Sequence, residues 1–271
     1  MTVRIHGRPP FLAAAIHGGP GGIGSAAGLA AGLADIGGTL EPLQSGYSIA
    51  ELVEELYEQL TPRRTGPIAL VGHSWGAWLA GIFAARHPQQ VDRLILVGCG
   101  PLDAGYLPQL EARRQSHFDA ADAVLYRRLL ADLEQPDHPD RNSLLQQLGR
   151  LCEKADIYQP LAEAEPPEAS FFDGEMYAKV FAEVADWRKN GKLLETFTSI
   201  ACPIAVIHGL YDTHPPEGVI EPLRARRVSF SSHLLPQCGH TPWREKYGHD
   251  AFFQLLRQLL RPAAARQEAV K

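Results

Sequence analysis

Ile68-Ala69-Leu70-Val71-Gly72-His73-Ser74-Trp75-Gly76-Ala77-Trp78-Leu79-Ala80-Gly81 is the stretch on which the rest of the chain turns. Ile68 to Val71 is an apolar run rich enough in branched residues for a buried strand. It breaks at Gly72, and a small-residue helix pattern starts after Gly76. A strand turning this sharply into a helix pushes the central residue toward positive φ, which is costly for a residue with a Cβ. Glycines on both sides remove the Cβ atoms that would collide across the turn. Ser74 stands between them, its hydroxyl lifted clear of the strand end at a helix N-terminus. There, backbone N–H groups and the helix dipole favour a developing negative charge.

Outward from this turn, apolar runs alternate with helix patterns. Phe11 to Ile16 reads as a buried strand ending in His17-Gly18-Gly19-Pro20-Gly21-Gly22-Ile23-Gly24, and Ser25 as the cap of a small-residue helix through Ala34. Gly38 to Leu43 is a weak strand. Ser48 and Glu51 form a capping box ahead of Ile49, Leu52, Val53, Leu56 and Leu60, an amphipathic helix. Trp75 to Arg86 is the next helix, stopped by His87-Pro88, and Val91 to Gly98 the next buried strand. The alternation predicts an α/β fold with a mostly parallel sheet covered by helices on both faces.

The pattern changes at Pro101. From Leu102 to about Ile200 strand signal is scarce, and helical stretches appear at Ala123 to Leu133, Ser143 to Lys154 and Tyr177 to Lys189. The breakers Pro136-Asp137-His138-Pro139-Asp140 and Pro166-Pro167 separate them. A single βαβ crossover needs far fewer residues, so the expectation is a core domain of residues 1–101 and 202–271 with an inserted helical cap at 102–201. Sheet pattern resumes at Cys202 to Gly209 and again at Val228 to Leu235, with a short helix at Glu217 to Ala225 between them. Asp250 to Leu260 closes the chain as an amphipathic helix.

At 271 residues with 45% hydrophobic content, the chain suits one large soluble α/β domain with an insertion. Its formal charge of −5 gives no electrostatic reason to expect nucleic acid or an anionic membrane as partner. Cys99, Cys152, Cys202 and Cys238 lack metal-ligand spacing and read as small buried hydrophobes in a reducing compartment. The run from Phe11 to Ile16 is too short for a signal-peptide core and no stretch reaches the length of a membrane span, so a cytoplasmic location is expected.

Gly72-His73-Ser74-Trp75-Gly76 fits the G-x-S-x-G nucleophile elbow, and the sequence resembles the α/β-hydrolase superfamily. Relatives often open with an antiparallel hairpin ahead of the strand at Phe11. Only ten residues precede it here, so that hairpin is expected to be shortened or absent. The resemblance implies a chain order of serine, acid and histidine. Asp212 lies just past the strand ending at Gly209, and His240 lies in the loop after the last strand. In these roles His240 takes the Ser74 proton and later protonates the leaving group, while Asp212 holds the imidazole tautomer. Asp103 is the runner-up acid. His73 lies inside the elbow and faces sideways, His208 lies within a strand end, and His214, His233 and His249 lack the position after the last strand. The oxyanion donors implied are the N–H groups of Trp75 and Gly19.

His17-Gly18-Gly19-Pro20-Gly21 resembles the prolyl-aminopeptidase branch of the superfamily. Relatives in that branch bind a free amine with acidic cap residues, for which Glu163, Glu165, Glu168, Asp173 and Glu175 are available, though an acidic loop is more often solvated surface. Where relatives carry Asp-x-Arg-Gly-x-Gly-x-Ser, this chain has Glu41-Pro42-Leu43-Gln44-Ser45-Gly46-Tyr47-Ser48. Phe171, Phe172, Tyr177, Trp187 and Trp243 either line an acyl pocket or pack the cap.

The expectation is a serine hydrolase needing no cofactor and no metal, acting through an acyl-enzyme on a small ester, amide or N-terminal peptide bond. Its partner is a small molecule or short peptide. The alternatives are a non-catalytic receptor or pseudoenzyme on the same fold, or a C–C bond hydrolase. A haloalkane-type hydrolase is disfavoured, because that chemistry needs a carboxylate where this chain has Ser74.

Overall fold

A computed structural model describes residues 2–135, 138–162 and 171–261. The elements follow as β1 (Val3–His6), β2 (Phe11–Ile16), β3 (Gly22–Ile23), α1 (Ala27–Ala31), β4 (Gly38–Pro42), α2 (Ile49–Leu60), β5 (Ile68–His73), α3 (Trp75–Arg86) and β6 (Val91–Val97). A helical excursion comes next, with α4 (Leu107–His117), α5 (Ala120–Glu134), α6 (Arg141–Asp156), the two-residue β7 (Phe171–Phe172), α7 (Gly174–Lys189) and α8 (Lys192–Thr198). The chain then returns through β8 (Ile204–Gly209), α9 (Glu217–Ala225), β9 (Phe230–Leu235) and α10 (His249–Leu260).

Seven strands form one sheet in the order β1-β4-β2-β5-β6-β8-β9. β1 runs antiparallel to β4, and every other neighbouring pair is parallel. This is an α/β-hydrolase fold. Its central strands β2, β5 and β8 are largely apolar because both faces are covered there, whereas the edge strands β1 and β9 carry polar residues. Alternation sends Leu70 to one face, among Leu52, Leu56, Ile82, Phe83 and Leu223 of α2, α3 and α9. Ala69 and Val71 go to the other, among Leu29, Phe252 and Leu256 of α1 and α10. Met176, Val180 and Phe197 of α7 and α8 join the first cluster. Tyr126, Leu129, Leu144, Leu148 and Leu151 of α5 and α6 form a third cluster of their own.

Register brings the functional loops to one edge. Ile16 pairs with Gly72, Gly72 with Leu96, and Val97 with Ile207, so β2, β5, β6 and β8 end side by side. In open α/β sheets that carboxyl edge is where ligands bind.

Local differences from the sequence expectation have physical causes. β1 pairs with β4 instead of forming a hairpin with β2, so a single strand stands where relatives carry a hairpin. Ser25 does not cap α1: its N–H is taken by Gly22 O in a turn, and the helix starts two residues later without a side-chain cap. α4 and α8 add to the helices expected from sequence; α4 buries little besides Arg114, whereas the short α8 buries Leu193, Leu194 and Phe197. Pro136, Asp137, Glu163, Glu165, Pro166, Pro167 and Glu168 lie outside the described residues. All four cysteines are free thiols. Among the described residues, no helix is long and apolar enough to cross a membrane.

Candidate active site

Ser74 joins β5 to α3 with φ 55° and ψ −119°, a backbone conformation that side-chain-bearing residues rarely occupy. The surroundings enforce it. A Cβ on Gly72 would lie 2.3 Å from Gly76 O, and one on Gly76 would lie 2.3 Å from Ile16 O. Only glycine lets β5 reverse this tightly against β2. Ser74 N donates to Val97 O at 2.9 Å, fixing the turn to the next strand. Trp75 opens α3, so its N–H is one of the first-turn donors that the helix itself leaves without a partner. The Ser74 side chain is half-buried, and its Oγ makes no hydrogen bond among the described residues.

The loop after β2 passes directly over this turn: a Cβ on Gly18 would stand 3.4 Å from Ser74 Cβ and 3.2 Å from His73 Nδ1. His17, fully buried, sets the loop's orientation. Its Nε2 accepts the amide of Gln44 at 3.3 Å, so the proton sits on Nδ1 and is donated to Gly18 O at 2.8 Å. Burial holds this ring neutral, with its pKa pushed down to about 4. Gly18 C=O and Gly19 N–H share one peptide plane and point oppositely, so the bond to His17 turns the Gly19 N–H away from His17. Gly19 itself has φ 120°. Gln44 also accepts from Trp75 Nε1 at 3.0 Å, tying the two donor-bearing segments together.

Asp212 and His240 meet. Asp212 follows β8 and is fully buried; its Oδ2 accepts from His240 Nδ1 at 2.8 Å. Burial pushes the Asp212 carboxyl upward, but the charges and donors of His240 and His214 outweigh it and hold the group well below the usual carboxylate range. Burial also pushes His240 downward, and the Asp212 carboxylate overcomes that and raises it. The His240 ring lies against Gly98, where a Cβ would come within 2.9 Å of Nδ1. Gly98 directly follows Val97, which binds the Ser74 amide, so the imidazole and the serine turn share one strand end.

Three other histidines crowd this pair. His73 Nε2 donates to His240 O at 3.0 Å, and the rings lie 4.7 Å apart. His208, buried with both nitrogens lacking a hydrogen-bond partner among the described residues, places Nε2 3.7 Å from Asp212 Oδ2. His214 bonds Asp212 Oδ1 through Nδ1 at 2.9 Å. The backbone half of this contact has a local signal, since an aspartate favours an Asx turn in which the amide two residues later folds back onto its carboxylate; the ring bond has none. His233 is half-buried beside Ser231, and His249 pairs with Asp250 on α10. Asp103 is exposed and accepts from Gly105 N at 2.7 Å as the start of a helical turn.

The helical excursion is bonded to both loops. Asp156 O, ending α6, accepts His240 N at 2.8 Å. Arg114 of α4 donates to Thr213 Oγ1 at 3.0 Å and to Asp156 at 3.4 Å, and Thr213 donates to Asp156 as well. Glu245 is fully buried and accepts from Gly239, Tyr158 and Gln159 amides at 2.7, 2.8 and 2.9 Å. On the other side, β7 pairs with β3 beyond the glycine loop, and Asp173 N donates to Gly21 O at 2.9 Å.

Of the aromatic residues singled out from sequence, Trp187 and Trp243 are buried in the two main clusters, and Phe172 and Tyr177 pack on the third. Phe171 is exposed. Asp173 is spent on Tyr47 Oη and on the first turn of α7, and Glu175 pairs with Lys179.

Known proteins share this fold. A monoacylglycerol lipase of Xenopus laevis is 23% identical over 216 residues, covering 75% of this chain and 59% of the lipase, so the chain spans 59% of that relative's length. The solved structure of VinJ superposes with a TM-score of 0.66 at 15% identity, covering 95% of this chain and 93% of VinJ. A proline iminopeptidase of Mycobacterium smegmatis superposes with a TM-score of 0.62 at 18% identity, again covering 95% and 93%. The family model described as alpha/beta hydrolase family matches residues 12–254, and the chain belongs to that family.

Proposed function

We propose that the chain is a serine hydrolase cleaving a small ester, amide or N-terminal peptide bond through an acyl-enzyme. Ser74 is the nucleophile, His240 the base, Asp212 the orienting acid, and the N–H groups of Gly19 and Trp75 the oxyanion donors. The reading rests on one observation above the others: the buried Asp212–His240 pair, 2.8 Å apart, shares a strand end with a serine held at positive φ. Ser74 Oγ attacks the substrate carbonyl as its proton passes to His240 Nε2. The tetrahedral oxyanion is met by donors that need no reorganisation, and its collapse transfers the proton to the leaving group. Water, activated by the same imidazole, then releases the acyl group and restores Ser74. The constellation calls for no cofactor or metal.

The helices between β6 and β8 act in this reading as the cap over residues 1–101 and 202–271. Among the described acidic residues there, Asp173 and Glu175 are committed to other partners, which weighs toward a neutral ester over a free-amine substrate. The ester chemistry carried by the name of the Xenopus laevis relative points the same way. A fluorophosphonate tests the assignment: wild type incorporates label at Ser74 and Ser74→Ala incorporates none. A panel of nitrophenyl esters against aminoacyl anilides, proline included, then decides the substrate class.

A further inference from the structure

Asp212 carries more than one imidazole. Its Oδ2 faces His240, while its Oδ1 accepts both the amide of His214 at 2.8 Å and the Nδ1 of the same residue at 2.9 Å. An ionised carboxylate only accepts, so the His214 proton sits on Nδ1. The His214 ring lies against that of His240, centroids 4.3 Å apart and planes 21° from parallel. One side chain therefore touches both members of the pair. An Asx turn needs only the backbone amide; the ring contacts are additional.

We infer that His214 is a positioning residue for the proposed reaction. Its Nδ1–H holds Oδ1, which leaves Oδ2 to His240, and its ring face fixes the plane of the His240 imidazole. Without the ring, Oδ1 of this fully buried carboxylate keeps only the His214 amide, and the loss of one of its two donors lets the group turn or take up a proton, either of which loosens its grip on His240. The other groups around the pair do not duplicate this. His208 approaches Oδ2 only to 3.7 Å, and His73 bonds the His240 carbonyl. Arg114 and Asp156 meet at Thr213. Burial keeps His214 below the ordinary histidine range, so it contributes a donor without a charge.

This role rests on the serine hydrolase reading, and the test separates the two. His214→Ala, His214→Asn, which keeps a short donor, and His214→Phe, which keeps the ring, are compared with wild type. The readouts are the rate of fluorophosphonate labelling at Ser74 and the low-field proton resonance of His240 Nδ1–H. In His214→Ala the labelling rate is expected to fall about tenfold or more, a fraction of what a positioned base contributes. The low-field signal should broaden through faster solvent exchange, the Asn and Phe variants should each recover part of both, and thermal unfolding should mark all three as folded. An unchanged rate and signal in His214→Ala overturns the proposal, as does a sharp signal in a slowed variant or no signal in wild type. If wild type fails to label at all, the hydrolase reading falls, and the resonance alone still decides whether His214 holds the pair.

Discussion

The main-chain carbonyl of Asp156 accepts the amide of His240 at 2.8 Å, so the last residue of α6 sets the backbone of the residue proposed as the base. The histidine loop is thus held from two directions, by the sheet through Gly98 and by the helical excursion through Asp156 and Glu245. Its position depends on polar bonds made to buried backbone groups, which are costly to leave unmade.

Glu245 is the most exposed point of failure in that arrangement. Replacing it by alanine orphans the amides of Gly239, Tyr158 and Gln159. The expected loss is roughly 3 kcal/mol of stability, since a buried donor without a partner costs about 1–3 kcal/mol, the Gly239 amide being buried and water relieving part of the cost at the half-buried Tyr158 and Gln159 amides. Urea unfolding of Glu245→Ala checks this, and a midpoint equal to wild type contradicts it.

Backbone strain at the serine turn gives an expectation about stability alone. Ser74→Ala keeps the Cβ in a positive-φ conformation, whereas Ser74→Gly removes it. Both variants should lose labelling, yet the glycine variant should be the more stable of the two by about 1 kcal/mol, strain relief exceeding the added chain entropy. Paired denaturation curves measure the difference.

The acid limb of activity should lie above the ordinary histidine range. His240 must be neutral to take a proton, and the buried Asp212 carboxylate raises its pKa above the model-compound value of 6.5. Activity is then full above the raised value and falls as pH drops through it. Arg114 opposes the shift and Asp156 reinforces it, with His73, His208 and His214 neutral around the ring. An acid limb below 6.5 in the labelling rate would contradict the assignment.

Stability should respond in a different window. His17 and His208 are buried and neutral, each with its pKa lowered from 6.5 to about 4. Between those values the unfolded chain binds protons that the native one refuses. Stability is therefore full above 6.5 and lost as pH falls toward 4, by about 3 kcal/mol for each ring. Urea titrations across that range should report uptake of about two protons or more on unfolding. Replacing His208 by phenylalanine should flatten the dependence.

Much of the fold was legible because local pattern and global topology agree. The branched run at Ile68–Val71, the glycines of the turn and the Ser48–Glu51 capping box each specify local geometry, and the structure contains all three elements. The Asp212–His240 contact was likewise expected from chain order, and it is present at 2.8 Å. What escaped the sequence was the second layer. His214 lacks the position after the last strand and His73 sits inside the elbow, so neither stands out in sequence, whereas their ring contacts with His240 depend on how the rings pack in three dimensions. Arg114 and Glu245 look like ordinary surface charges in sequence; only the folded chain buries Arg114 against the side chains of Asp156 and Thr213, and Glu245 against backbone amides of a distant segment. Ser25 is not the helix cap because α1 starts only at Ala27, which puts Ala26, without a side-chain oxygen, at the cap position.

The short pairing of β3 with β7 has a further consequence. With the Asp156–His240 bond, it attaches the helical excursion at two places: beyond the loop of the proposed oxyanion donors, and at the loop of the proposed base. The excursion cannot swing away as a rigid lid without tearing hydrogen bonds at both attachments. Insertions or deletions within 107–198 would therefore be transmitted mechanically to the two sides of Ser74 together, coupling what the site admits to how well it reacts.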